Sequence, residues 1–283
     1  MSPKELAEAI GVSESSLRRW VDSGAIATTR TVGGHRRISL PAAVRFIRES
    51  GMAVVRPELL GLEEPARAAA PADTAERLFD AMKAGDGEGA RRQLMSLYLQ
   101  GKSIAEICDG PIRLAMEKIG ELWQHGTDGI LIEHYAVDIC LQILGQFRQM
   151  VGQPAADAPL AMGGAPEGDP YLLPSTMAAV VLGEAGYRPM NYGPNLPVEL
   201  LARSAARRRP KLVWLSMSVS GENSKLGKSV DALSRTLAKG GTRLVVGGRH
   251  ARDLRVPRGA DLCIVQSMVE LAALGKGLLM AKP

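Results

Sequence analysis

The 283-residue chain is predicted to be multidomain, α and α/β. A winged helix-turn-helix comes first, then a four-helix bundle, then a doubly wound parallel α/β domain. Three observations predict this. Two short helical patterns around Gly11-Val12-Ser13 precede a basic hairpin pattern centred on Gly33-Gly34. Residues 74–151 carry apolar side chains at helical spacing with short Gly-containing breaks. Residues 160–283 alternate five short apolar runs with amphipathic helical patterns. Two stretches poor in large apolar residues, PARAAAPAD and GQPAADAP, read as linkers. They divide the chain into 1–56, a linker at 57–73, 74–151, a linker at 152–159, and 160–283.

The first segment begins with a helix from Pro3 to Ile10. Ser13 then caps a second helix from Glu14 to Asp22. Leu6, Ala7, Ile10, Leu17 and Trp20 form the packing face, with Trp20 read as core rather than as a base-stacking ring. Ser15, Arg18 and Arg19 fall on the polar faces of a helix sized for the major groove. The arms around Gly33-Gly34 carry Arg30, His35, Arg36 and Arg37, side chains suited to phosphates and groove edges. A solvated basic hairpin on an interaction domain is the alternative.

Composition agrees with a polyanionic partner. The net charge is +5 and the pI about 9.2, and residues 1–56 hold nine Lys/Arg against five Asp/Glu. Cys108, Cys140 and Cys263 are far apart in apolar stretches, so neither a disulfide framework nor a metal spacing is readable. Neither a signal-peptide core nor an apolar run of membrane-span length is evident. A cytoplasmic protein with no membrane partner is therefore expected.

The run SESSLRRWVDSGAIATTRTVGGHRRIS resembles the N-terminal domain of MerR-type regulators. The resemblance covers residues 1–56. It implies operator contacts at Arg18, Arg19, Arg30, His35, Arg36 and Arg37, double-stranded DNA as partner, and a homo-oligomer, dimer or tetramer. The long dimerising coiled coil of ordinary members is replaced here by a bundle, so assembly must arise elsewhere.

The bundle stripes run through Leu78, Phe79 and Met82, then Leu94 to Ile107, then Ile112 to Trp123, then Ile130 to Phe147. Within them Trp123 precedes Glu133-His134 by ten residues, across a Gly126-Thr127-Asp128-Gly129 break. A flat apolar ring beside an acid–imidazole pair suits a planar ligand or, through His134, a metal. A core Trp with a surface Glu-His pair is the competing account. In the third segment the strands are 160–165, 188–193, 212–219, 243–248 and 261–266. Helices follow near 174–186, 197–208, 225–239 and 267–281. Gly and Ser cluster at the carboxyl ends of the strands, where open α/β sheets bind ligands.

This order of parts resembles CarH-type regulators, MerR-type repressors that bind cobalamin and are often light-responsive. The resemblance spans nearly the whole chain. It rests on Trp123, Glu133 and His134, the loop PEGDPYLLP, Ser216-Met217-Ser218 and Gly247-Gly248. It implies a Rossmann-like domain of the cobalamin-binding type, with the cofactor held between bundle and α/β domain. Ser216 and Ser218 would bond the cofactor's buried tail, and Gly247-Gly248 would let it approach the backbone. A plain tight turn also accounts for the glycine pair. One position departs from the pattern. An acid, any residue and a cobalt-ligating His are expected after the first strand, and here they read Asp169-Pro170-Tyr171. A phenol is a poorer cobalt ligand than imidazole. Tyr171 ligation, cobalamin without a lower protein ligand, another tetrapyrrole, or ligand-independent regulation all remain open. Gln124 stands where light-responsive relatives tend to carry a His.

A corrinoid methyl-carrier is the alternative of a different class, disfavoured by the helix-turn-helix and by Tyr171. With neither a GK[ST] phosphate loop nor a GxGxxG after the first strand, and with no nucleophile–base arrangement, an enzyme is not expected.

Overall fold

The computed structural model describes residues 1–61, 71–122, 128–220, 224–254 and 261–281. They fall into two compact units, Met1–Gln153 and Pro154–Pro283.

The first unit opens with α1 (Pro3–Ala9), whose N-terminus is closed by a reciprocal box. Ser2 accepts from the Glu5 amide while the Glu5 carboxylate accepts from the Ser2 amide. Helix α2 (Glu14–Asp22) starts at Ser13, whose hydroxyl accepts from the Ser16 amide, as predicted. Strands β1 (Thr29–Arg30) and β2 (Arg36–Arg37) pair antiparallel across a five-residue turn, with Arg30 opposite Arg36. Gly34 sits at φ +79° in that turn, a conformation that costs glycine nothing. Helix α3 (Leu40–Ser50) completes the head. Leu6, Ile10, Leu17, Val21, Ile26, Ile38, Val44 and Ile47 form its core.

Residues Pro57–Leu60, within the expected linker, instead form a 3-10 turn that buries Leu60, and α4 (Pro71–Lys83) begins inside the expected linker as well. Helices α5 (Gly87–Leu99), α6 (Ile104–Ile107), α7 (Arg113–Glu121) and α8 (Asp128–Val151) follow. The break read between Ile107 and Ile112 is not a break. A π-helical turn, Cys108–Ile112, joins α6 to α7 and accommodates Pro111, which has no amide to give the helix ladder. The bundle therefore has four rods: α4, α5, the joined α6–α7, and α8. By length and composition α8 passes for a membrane span. Its apolar residues Ala136, Ile139, Ile143, Leu144 and Phe147 are buried, as in the core helix of a bundle.

Head and bundle are one packed body, not two modules on a tether. Helix α3 lies against α5 and α8. The Arg48 guanidinium stacks 3.7 Å from the centroid of the Tyr98 ring and donates to the backbone oxygens of Tyr98 and Lys102. Tyr98 in turn packs on Phe147 of α8, ring centroids 5.1 Å apart. A cation, a phenol and a phenyl ring thus run from the third head helix into the bundle core.

The second unit carries β3 (Leu160–Gly164), α9 (Leu173–Glu184), β4 (Arg188–Asn191), α10 (Val198–Arg208), β5 (Leu212–Ser216), α11 (Ser224–Ala238), β6 (Arg243–Gly247), β7 (Cys263–Val265) and α12 (Met268–Met280). All five strands are parallel, in the order β4-β3-β5-β6-β7. One core joins the sheet to Val198, Leu201, Ala205, Val230, Leu233 and Leu237 of α10 and α11. The other joins it to Ala178, Ala179, Leu182 and Leu271 of α9 and α12. Helices on both faces make the fold doubly wound, as the alternation of elements predicts. Chain order reverses between β3 and β5, and that reversal is the switch point of the sheet.

The free thiols differ in access. Cys108 and Cys140 are buried, and burial pushes the Cys140 thiol up to about 12, so almost none of it is thiolate near neutral pH. Cys263 on β7 is partly exposed. Iodoacetamide is expected to label one thiol per chain in the native protein and three in urea, with Cys263 as the native site by mass spectrometry. Native labelling of Cys140 would mean that the bundle opens at α8.

Candidate functional sites: the basic wing and the carboxyl edge of the sheet

The head places its predicted contact residues at the surface. Ser15, Arg18, Arg19, Arg30, His35 and Arg37 are exposed and Arg36 is half-buried. Four are engaged in ways the sequence did not reveal. Arg36 bonds the Asp22 carboxylate at the end of α2, which ties the wing to the second helix, and Arg18 pairs with Glu14 one turn back. Arg37 lies 3.9 Å from Glu5. Arg19 donates to the Ser16 hydroxyl. Trp20 is half-buried with its ring 5.2 Å from Phe46, which places it in packing, as read.

In the bundle, Glu133 and His134 are neighbours on α8 but differ sharply in access. The Glu133 side chain keeps 16% of its exposure and His134 keeps 72%, with 3.8 Å between carboxylate and ring nitrogen. They make a loose pair at best, so the expected acid–imidazole unit is not a tight constellation. Trp123, the third member, lies outside the described residues. Among the described residues no group of three or more His, Cys, Asp or Glu side chains gathers as a metal site.

The carboxyl edge of the sheet does bring its predicted residues together. Asp169 and Tyr171 lie on the loop after β3, Ser216 ends β5 with Ser218 two residues on, and Gly247 ends β6 with Gly248 following. These three strands are neighbours. The Asp169 carboxylate is fully buried. One oxygen accepts from the Tyr171 amide at 3.1 Å and the other from the Ser218 amide at 2.5 Å. A buried carboxyl group therefore spans the switch point and pins the β3 loop to the β5 loop.

Asp169 spends both oxygens on backbone, and the Tyr171 side chain remains 44% exposed. Ser216 is buried. The Ser218 hydroxyl is buried with no partner among the described residues, which is uncommon enough to mark a place where a polar group of a ligand fits. The glycine pair has a nearer explanation than ligand clearance. Gly248 sits at φ +109°, and a Cβ there would lie 2.4 Å from the Met217 carbonyl oxygen, so the β5 and β6 loops themselves demand glycine. The tight-turn account holds for Gly248.

Sequence reading missed a buried polar chain beside this edge. The Trp214 indole donates to the Ser175 hydroxyl, which bonds the Asn191 side-chain oxygen, which also accepts from the Gly193 amide. Facing Trp214 across the ladder is Gly163, where a Cβ would meet the Trp214 carbonyl oxygen at 2.1 Å. An isolated Trp in an apolar strand gives no such signal in sequence.

Against a cobalamin, the residues present fit in part. Ser218 offers an unpaired hydroxyl for a polar tail, and Asp169 fixes the loops around it. The loop after β3 carries no histidine, and Tyr171, two residues past Asp169, is 44% exposed.

Comparison with known proteins agrees with the division of labour. Residues 1–48 match the profile of a helix-turn-helix domain, and residues 74–147 match that of a B12 binding domain. The chain is similar in fold to the monomethylamine corrinoid protein of Methanosarcina barkeri, with 18% identity and a TM-score of 0.54 over 74% of this chain and 100% of that one. It is also similar to a cobalamin-binding protein of Desulfitobacterium hafniense, at 15% identity and TM-score 0.36 over 75% of this chain and 99% of that one. A third similarity is to the methanol:cobalamin methyltransferase complex of Methanosarcina barkeri, at 11% identity and TM-score 0.38 over 95% and 93%. Among curated proteins nothing matches. A helix-turn-helix and a B12 binding domain in one chain fit a DNA-binding, cobalamin-binding protein, with cobalamin as its cofactor.

Proposed function

We propose that the chain is a transcriptional regulator that reads an operator through a MerR-type head and takes its signal from cobalamin, in the manner of CarH-type repressors. It acts without catalysing a reaction, in the compartment that holds DNA. The observation that carries this reading is structural: a winged helix-turn-helix is packed through Arg48, Tyr98 and Phe147 into the same helical body that matches the B12 binding domain. A change at α8 on cofactor binding then bears directly on the helix that supports the wing. Operator affinity follows assembly, as a population shift between a dimer or tetramer and dissociated chains, and light release of the cofactor is one way to drive it.

A second reading keeps the regulator and changes its ligand. Tyr171 in place of a histidine favours a tetrapyrrole that does not need an imidazole from this loop. A corrinoid methyl-carrier is less well supported. Its chemistry depends on the cobalt ligand that is missing here, and it has no use for a DNA-reading head.

The test is adenosylcobalamin added in the dark, followed by desalting and an absorption spectrum. Retained corrin absorption, lost in Trp123→Ala, is the expected result, and a colourless protein would transfer the argument to the second reading. Tyr171→His is expected to add a histidine nitrogen to the bound cobalt. The readout is a splitting in the cob(II)alamin electron-spin spectrum that changes when the histidines carry nitrogen-15. An isotope-insensitive spectrum in that variant would place residue 171 away from the metal.

A further inference from the structure

The cationic surplus of this chain lies in two places: in the head, with nine Lys/Arg against five Asp/Glu over residues 1–56, and in the second unit. Unit one holds 18 Lys/Arg against 20 Asp/Glu, a net of −2, whereas unit two holds 17 against 10, a net of +7. We infer that the amino-terminal edge of the parallel sheet, opposite the candidate cofactor edge, is a second contact surface for the phosphate backbone of duplex DNA.

Topology gathers the cations there. Strands β4, β5 and β6 begin at or beside Arg188, Lys211 and Arg243, and the starts are cross-bonded. The Arg188 amide donates to Pro159, Lys211 to Leu160, and Arg243 to Lys211. Helix α10 delivers Arg207, Arg208 and Arg209 to the same edge, just ahead of Pro210 and Lys211. The buried Thr242 hydroxyl donates to the Pro210 carbonyl at 2.6 Å, which brings the turn after Lys239 beside them. Asp261 pairs with Arg243. Among the described residues no ion pair engages Arg188, Arg207, Arg208, Arg209, Lys211 or Lys239.

A solvated helix end explains only part of this. Arg207 and Arg208 lie in the last turn of α10, where the helix dipole favours cations. Arg209 is different. It occupies the left-handed position at φ +48°, where glycine or asparagine would sit without strain. A cation is kept at a place where the backbone disfavours it. From β4 to β6 the edge spans three strand intervals, about 14 Å. That length faces roughly four phosphates of one DNA strand. DNA is the polyanion chosen because the same chain carries a helix-turn-helix domain that is itself basic, nine Lys/Arg against five Asp/Glu over residues 1–56.

The test uses the intact chain and a mixed-sequence duplex, with affinity measured across a salt series. The Arg207→Gln, Arg208→Gln, Arg209→Gln variant is expected to bind with a log-affinity against log-salt slope shallower by about 2–3 units, near 0.9 per lost phosphate contact. Lys225→Gln, Lys228→Gln on α11 serves as the charge control and should keep the original slope. An unchanged slope in the triple variant, beside weakened binding by an Arg36→Ala, Arg37→Ala variant, overturns the inference and leaves the regulator reading intact. Failure of the intact chain to bind duplex at all overturns both. If the triple variant loses binding to anionic phospholipid vesicles but not to duplex, the surface belongs to a membrane and the inference falls. Matching circular dichroism and thermal midpoints guard against a folding defect.

Discussion

The Arg36→Ala, Arg37→Ala double variant is expected to bind a duplex selected from a randomised pool about 100-fold more weakly than the unaltered chain. Hydrogen bonds to charged partners are worth about 1.5–3 kcal/mol each, and two contacts at the lower end account for that factor. The local geometry adds to it. Arg36 holds Asp22 at the end of α2. On DNA that guanidinium would leave its carboxylate for a phosphate. Without Arg36, the Asp22 charge faces the duplex uncompensated. Both side chains are at least partly exposed, so the head should keep its melting behaviour. The salt slope should fall by roughly two, which separates lost phosphate contacts from lost base readout. Unaltered affinity in this variant would remove the wing from the interface and leave α2 alone to carry recognition.

The largest effect on stability is expected from Trp214→Ala. Trp214 is 2% exposed, the largest side chain buried to that degree, and joins β5 to the α9–α12 side of the sheet. Truncation removes a large apolar volume from a place where Gly163 cannot move in, since backbone already crowds its missing Cβ. A loss of about 3–5 kcal/mol is typical of such cavities. Ser175 also loses the indole donor. Trp214→Phe retains most of the volume and should cost about 1–2 kcal/mol, chiefly the lost indole hydrogen bond to Ser175. Urea unfolding followed by circular dichroism measures both. Equal costs would show that volume hardly matters at this site.

Much of this was legible before the structure. Element type followed from period: alternating apolar runs and amphipathic helices in the second unit became five parallel strands and their helices with ends shifted by at most three residues. Ser13 announced the start of α2 because a hydroxyl before a polar-apolar pattern has one common use. Less legible was anything set by distant partners. The π turn at Cys108–Ile112 looks like a break, since proline and glycine punctuate both breaks and bulges. Asp169 was singled out as a candidate cofactor contact, but not that both its oxygens would go to backbone amides from two loops. Gly248 was read either as room for a ligand or as a tight turn, because sequence cannot say whether the neighbour that forbids a Cβ is a cofactor or, as here, the carbonyl of Met217. The reading of 57–73 as a linker weighed proline and alanine and missed that Pro57–Leu60 form a turn beside α1 that buries Leu60.

The seating of α3 on the bundle bears on how the chain can be cut. A fragment ending at residue 56 would carry α3 away from α5 and α8, leaving Arg48 without Tyr98 and baring the side of the helix that faced the bundle. Pro41 would also lose its close neighbour Gly152, at the far end of α8. The natural excision point is therefore after Gln153, and the smallest dependable piece with the helix-turn-helix carries the helical bundle with it.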